Sequence, residues 1–335
     1  MKAFTVTRYG PEGLGAATVA EPTVGAHDVL IAVAAASVNP LDVMTRDGEF
    51  KQLVKHERPF VLGHDLSGVI TAVGSAVERF AVGDEVYSRP RDSRIGTFAE
   101  RIAVDEADVA LKPRSLSFVE AAAVPLVALA AWQLLVDRAK VGPGSRVLVH
   151  AGAGGLGSTV IQLARHLGAH VATTTSTGKV ELVQAWGADT VVDYTKDDFS
   201  QQLSGYDLVI DSLGGTNLEK SLGVLRPGGL ALGVSGPPDA GFARQLGAPA
   251  PLRLVMSFLS RNVRRRARSL GVTYEFFFMR ADGKQLIELA ELYDTGQLRA
   301  VVDRVFPFDQ TLEAIRYVEQ GKTTAGKVVV EHPRR

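Results

Sequence analysis

The chain has 335 residues, 46% of them hydrophobic, with 37 basic against 37 acidic side chains and no cysteine. That length asks for two domains rather than one core, and zero net charge gives no general pull toward nucleic acid or a membrane surface. Without cysteine there is no disulfide, no thiolate nucleophile and no cysteine-bound zinc. The opening Met1-Lys2-Ala3-Phe4-Thr5-Val6 alternates like a strand and lacks the apolar core of a secretion signal. No run reaches the roughly 18 apolar residues that span a bilayer. The expectation is a cytoplasmic protein with neither membrane nor nucleic acid as partner.

Residues 1–112 read as β structure: short runs at 29–33, 67–74 and 98–104 stand between glycine, proline and aspartate. From 118 to 136 the chain is Ala/Leu-rich with helical spacing. Between 145 and 279 strands and helices alternate. Strands are expected at 146–150, 170–175, 190–193, 207–211, 230–234 and 273–278, with amphipathic helices at 156–167 and 180–186. Such alternation implies an α/β fold, a parallel sheet covered by helices on both faces. Segment 236–270 breaks the rhythm as an excursion. Helices at 285–293 and 310–320 and strands at 304–306 and 326–331 form a tail expected to return to the first domain.

The apolar strand Val147-Leu148-Val149-His150 runs into Ala151-Gly152-Ala153-Gly154-Gly155-Leu156-Gly157-Ser158 and then a helix. Gly152, Gly154 and Gly157 form G-x-G-x-x-G in the strand–turn–helix setting that gives the motif meaning. Missing side chains let backbone approach a pyrophosphate, and the helix N-terminus faces its charge. This is a Rossmann doubly wound sheet by expectation, with Gly155 and Leu156 in the same loop. The second strand ends Thr173-Thr174-Thr175-Ser176-Thr177-Gly178-Lys179. An NAD site would carry an acid there for the ribose hydroxyl; hydroxyls, including Ser176, and Lys179 stand instead. They suit the 2′-phosphate of NADPH.

Ser37-Val38-Asn39-Pro40-Leu41-Asp42, Leu62-Gly63-His64-Asp65-Leu66-Ser67-Gly68, Val82-Gly83-Asp84-Glu85-Val86-Tyr87, Asp211-Ser212-Leu213-Gly214-Gly215 and Gly326-Lys327-Val328-Val329 join the glycine loop in one pattern. With them the chain resembles the medium-chain dehydrogenase/reductase superfamily, in its zinc-free quinone oxidoreductase branch, over nearly its whole length. The resemblance implies a GroES-like, mostly β substrate domain at 1–122, completed by 280–335, and an NADPH-binding Rossmann domain at 123–279. Zinc-dependent relatives ligate their metal at positions that correspond here to Asn39, His64 and Leu126; one imidazole does not make a zinc site, so no metal is expected.

The resemblance sets Asn39 beside the nicotinamide, where an amide donates without titrating. Asp42 and Arg46 complete the catalytic motif and, one helical turn apart, are expected to pair with each other. It also implies Tyr194 near the adenosine phosphate, Ser212 and Leu213 along the cofactor, Ser235 near the ribose, Phe278 and Met279 at the nicotinamide, and Lys327 toward phosphate or the cleft. The strand 273–278 is expected to pair across a two-fold axis in a homodimer. The arginine run at 261–268 reads as a solvated helix face, with RNA, anionic lipid or an acidic cosubstrate such as a CoA thioester as charge-based alternatives. The expected function is hydride transfer from NADPH to a quinone or similar electron-poor acceptor. The alternatives are an enoyl-thioester or 2-alkenal reductase, and an NADPH-binding RNA-interacting or sensor protein with little turnover.

Overall fold

A computed structural model describes residues 1–333. The chain divides into two compact units, Met1–Leu129 with Arg280–Arg335, and Ala130–Met279. The first break falls inside the helix Pro125–Trp132, part of the Ala/Leu-rich stretch.

In the first unit the long strand Asp28–Val38 is the organiser. It pairs antiparallel with Asp65–Val73, Arg101–Asp105 and Lys327–Glu331. The sheet runs Val302–Pro307, Lys327–Glu331, Asp28–Val38, Asp65–Val73, Glu85–Ser88, Val109–Leu111. A smaller sheet holds Leu14–Thr18, Lys2–Val6 and Phe60–Val61. The tail thus supplies strands to the N-terminal sheet. Val29, Ile31 and Val33 point into a core with Leu66, Ile70, Phe98 and Val328, the period-2 pattern of a half-buried strand. From Ala35 to Val38 every residue is buried. The chain then leaves the sheet through Asn39 into the helix Pro40–Asp47, with proline at the first helical position, where its missing N–H costs nothing.

The second unit is a six-stranded parallel sheet. Its order is Thr190–Asp193, His170–Thr175, Arg146–Val149, Tyr206–Asp211, Leu225–Gly233, Thr273–Phe276. In chain order that is 3-2-1-4-5-6, the doubly wound arrangement. Val147, Leu148 and Val149 are fully buried, as a central parallel strand covered on both faces requires. The excursion at 236–270 forms three helices, Ala240–Gln245, Ala250–Leu259 and Arg261–Ser269. The last strand ends at Phe276 rather than 278. It lies at the sheet edge, but Tyr274 and Phe276 are buried. What that edge offers is backbone, not apolar side chains.

Candidate functional site

In the parallel-sheet unit, the sequence-derived cofactor residues gather at one end. The loop from Ala151 follows the strand Arg146–Val149, and Ser176 and Lys179 follow His170–Thr175. Tyr194 follows Thr190–Asp193, Ser212 and Leu213 follow Tyr206–Asp211, Ser235 follows Leu225–Gly233, and Phe278 and Met279 follow Thr273–Phe276. All six carboxyl ends contribute. The order reverses between Arg146–Val149 and Tyr206–Asp211, and a crevice for ligand opens at such a switch point.

The loop geometry fits a dinucleotide. A Cβ on Gly152 would lie 2.1 Å from Thr173 Oγ1, and one on Gly157 would lie 2.4 Å from the Ala151 carbonyl. These two glycines let the helix Gly155–His166 start against the strand. A Cβ on Gly154 would meet only the Ala151 carbonyl, at 3.3 Å. Its bareness faces outward, where a phosphate would come. Gly154 is the N-cap and supplies no side-chain oxygen, so the first-turn N–H groups are left to a ligand. Ala151 holds φ 54°, a conformation a non-glycine residue adopts at a cost.

Asp211 shapes the next loop. Its Oδ1 accepts from the N–H groups of Leu213 and Gly214 at 2.9 and 2.6 Å, leaving Leu213 exposed. Ser212 and Phe278 are half-buried and Ser235 and Tyr194 exposed, whereas Met279 is buried. Behind the glycine loop, His150 Nδ1 lies 3.0 Å from Thr174 Oγ1 and Nε2 lies 2.8 Å from Ser221 Oγ. Burial pushes its imidazole below the ordinary histidine value, with Asp211 acting against.

Not all the hydroxyls of the second strand are available. Thr173 Oγ1 donates to the Val149 carbonyl at 2.7 Å, and Thr174 serves His150 and the Ala151 N–H. Thr177 donates to Asp193 at 2.6 Å. Hydrogen bonds from Thr177 and Thr195 hold the Asp193 carboxyl well below the usual carboxylate range. That acid comes from the neighbouring strand and is engaged by Thr177, Thr195 and Lys196. Ser176 and Lys179 remain, both half-buried.

In the β unit the residues read as catalytic meet different surroundings. Asn39 is 1% exposed. Its Nδ2 donates to Asp65 Oδ2 at 2.9 Å and, more weakly, to the Ser37 carbonyl at 3.4 Å. Its Oδ1 accepts from Lys327. The amide expected to serve nicotinamide or acceptor is thus turned inward. Lys327, expected at phosphate, is buried as well. Its ammonium donates to the Val38 carbonyl and lies 3.5 Å from Asp65. Burial lowers its pKa, with Asp65 and Asp42 opposing.

Asp42 does not pair with Arg46. Its Oδ2 accepts from the Asn39 N–H at 2.7 Å and its Oδ1 lies 2.6 Å from His64 Nδ1. Arg46 instead forks onto Asp47 and Glu319, the latter from the tail helix Thr311–Glu319. The hydrogen bonds with Glu319 raise the Arg46 pKa, burial opposing. Local spacing allowed an Asp42–Arg46 pair, but the tail brings a better-placed carboxylate.

Asp65 was missed as an organiser. Fully buried, it accepts from Ser37 Oγ at 2.8 Å, Asn39 Nδ2, and the Leu126 N–H at 2.8 Å. The available signal was a carboxylate opening an apolar strand with no partner near it in sequence, since buried acids are paired. Of the three positions that bind metal in zinc-dependent relatives, Asn39 and His64 have polar partners inside the protein and Leu126 offers no donor atom in its side chain. That donor set does not fit zinc.

Family models match two stretches: an alcohol dehydrogenase GroES-like domain over residues 25–114 and a zinc-binding dehydrogenase domain over 186–330. The chain is 36% identical to 2-methylene-furan-3-one reductase of Solanum lycopersicum, over 99% of this chain and 79% of that protein. It is 34% identical to the chloroplastic NADPH-dependent alkenal/one oxidoreductase of Arabidopsis thaliana, over 98% and 79% respectively. Among solved structures, the quinone oxidoreductase from Coxiella burnetii superposes with a TM-score of 0.85 at 29% identity, covering 99% of each chain.

Proposed function

The chain belongs to the medium-chain dehydrogenase/reductase superfamily, in its zinc-free, quinone-oxidoreductase-like branch, and as an NADPH-dependent oxidoreductase of that branch we propose that it delivers hydride to a quinone or similar electron-poor acceptor. One observation carries the reading: the glycine loop and the other expected cofactor residues of the parallel-sheet unit stand at the carboxyl ends of its six strands, around the switch point. Bound NADPH would supply the hydride; the chain's own residues bind, orient and shield. Gly152, Gly154 and Gly157 admit the pyrophosphate to the helix N-terminus, with Gly155 and Leu156 donating from the first turn. Ser176 and Lys179 are assigned to the 2′-phosphate, and Ser212, Leu213, Ser235, Phe278 and Met279 line the rest.

We assign Asn39 and Asp42 a positioning role. They hold the turn after Val38, with His64, Asp65 and Lys327, in one geometry. With a donor set that does not fit zinc and the Asn39 amide engaged by Asp65 and Lys327, the acceptor must be intrinsically electrophilic. A quinone takes its proton from water. The carboxylates at the cofactor end, Asp193 and Asp211, are taken up by Thr177, Thr195 and the N–H groups of Leu213 and Gly214, which favours a quinone over an enone. The names of the two curated relatives favour the second reading, an alkenal or enone reductase. Steady-state NADPH oxidation against panels of quinones, 2-alkenals and simple ketones tests the proposal. Turnover with quinones and little with ketones is expected. Turnover confined to 2-alkenals would select the second reading, and none with either panel would leave a binding or sensing protein.

The proposal includes a homodimer formed through the edge strand Thr273–Phe276, supported by its unpaired backbone. Light scattering at twice the 35.7 kDa chain mass is the expected result. It also keeps the cytoplasmic setting. No helix among the described residues is long and apolar enough to cross a membrane.

A further inference from the structure

The excursion inside the parallel-sheet unit carries a surface that the reductase reading does not use. The helix Ala250–Leu259 buries Met256 and exposes Leu254, Val255, Phe258 and Leu259, at 73%, 52%, 71% and 55%. Four large apolar side chains adjacent on one helix are not the scattered singletons of an ordinary surface. The next helix, Arg261–Ser269, begins where the first ends, at Ser260, and buries only Val263 and Ala267. Its outer side carries Arg261, Arg265, Arg266 and Arg268, all exposed.

Charge is segregated with the apolar groups. Between Asp239 and Glu275 the sequence holds Arg244, Arg253, Arg261, Arg264, Arg265, Arg266 and Arg268 and no acid or lysine. Because the whole chain is formally neutral, the remainder carries a matching acidic excess. Arg264 is tied to Ser257 and Ser260. Among the described residues no carboxylate pairs with Arg261, Arg265, Arg266 or Arg268. Two consecutive helices therefore expose apolar side chains on the first and arginines on the second, while the rest of the protein carries net negative charge, a charge asymmetry that orients as well as attracts.

We propose that this helix pair is a docking surface for an anionic lipid bilayer, with Leu254, Val255, Phe258 and Leu259 entering the headgroup–acyl boundary and the arginines binding lipid phosphates. At 1.5 Å per residue the first helix is about 15 Å long, half the hydrocarbon thickness, so it lies in the interface and does not span it. The absence of a spanning segment, from which no membrane partner was expected, does not bear on such a surface. A nucleic acid would use the arginines and leave the aliphatic side chains in water. A second copy meeting this surface about a two-fold axis would bring two arginine-rich helices, with no acid between Asp239 and Glu275 to offset them, into one interface. The proposal is independent of which acceptor the enzyme reduces.

Flotation of the full chain with vesicles tests it, comparing phosphatidylcholine alone with phosphatidylcholine containing about one-third phosphatidylglycerol. At least about tenfold greater partition onto the anionic vesicles is expected, lost when ionic strength is raised roughly tenfold. Arg265→Glu with Arg266→Glu should abolish it. Leu254→Ser with Phe258→Ser, at unchanged charge, should lower it about tenfold. All the substituted side chains are exposed, so melts and NADPH oxidation should stay near the parent's. Equal partition onto both vesicle types, or none onto either, overturns the proposal. So does full retention of binding in the Leu254→Ser, Phe258→Ser variant, or binding of RNA in preference to anionic vesicles. A parent dimer that this variant splits to monomers, without vesicle binding by either, would assign the face to a second copy.

Discussion

The two units bury polar groups in different ways. Behind the glycine loop of the parallel-sheet unit, Thr173, Thr174, His150 and Ser221 pass hydrogen bonds among themselves and to backbone, and the one carboxylate beside them, Asp211, is met mainly by backbone N–H groups. In the β unit the groups around Asn39 are ionisable side chains, with Asp42 against His64 and Asp65 against Lys327. The difference teaches where a ligand's charge can be met. A network whose single carboxylate is met by the N–H groups of another loop leaves the field of the helix N-terminus unspent for an anionic phosphate. An ionisable cluster that satisfies itself has nothing left over, and its value lies in holding the chain.

The sharpest way to break the comparison is Asp65→Ala. It removes the acceptor for Ser37, Asn39 and Leu126 and strands the Lys327 ammonium, 6% exposed. Removing one partner of a buried pair costs about 3–5 kcal/mol, readable by urea unfolding. The double variant Asp65→Leu, Lys327→Met should regain only the part due to the unpaired ammonium, because Ser37, Asn39 and the Leu126 N–H still lose their acceptor. A single variant as stable as the parent would show that the cluster is not a coupled unit.

Gly157→Val strikes the other unit, through a side chain that must displace the Ala151 carbonyl from 2.4 Å. NADPH affinity should fall at least about 100-fold, or about 2.7 kcal/mol, by fluorescence titration. Gly154→Ala, with its single 3.3 Å contact, should keep the parent melt and still bind NADPH more weakly. Unchanged affinity in both variants would detach the loop from the cofactor.

Lys179→Ala should cost NADPH about tenfold, or about 1.4 kcal/mol, and leave NADH unaffected. Parent protein that binds the two cofactors equally would remove that assignment.

The smallest effect belongs to a more exposed pair of the β unit. Arg94 forks onto Asp28 at 2.7 Å through both nitrogens, and that hydrogen bond holds the Asp28 carboxyl below its ordinary value, burial opposing. Since the folded pKa is the lower one, the stabilisation is fully present above the unfolded value of about 3.9 and is lost as pH falls through the folded value. Asp28→Asn should therefore flatten the acid limb of the melting curve and shift Tm by no more than a few degrees at neutral pH, because Arg94 is partly solvated.

How much of this was legible follows the same divide. The strands His170–Thr175 and Thr190–Asp193 and the helix Val180–Trp186 were readable to the residue, because period and turn residues are local properties. The excursion at 236–270 was visible as a break in rhythm, but its three helices were not. The Asp42–Arg46 pairing was misread because Glu319 comes from 273 residues away. Asn39 was read as an open amide because nothing local reveals that Lys327 and Asp65 close around it.

Sequence alone determined the alternating strands and helices, the glycine loop at a helix N-terminus, the missing cysteines and the missing acid after the second strand. Each of these is set within a turn or two of chain, by backbone sterics, side-chain size or the bare presence of a residue type. Only tertiary structure decided which polar groups remain free. A side chain's partners depend on which distant segments reach it first, and a buried charge takes the nearest one that can satisfy it. So the place proposed for the cofactor's phosphates, the glycine loop at a helix N-terminus, could be read from the letters. That Asn39, Asp42 and Lys327 hold one another could be read only from the fold.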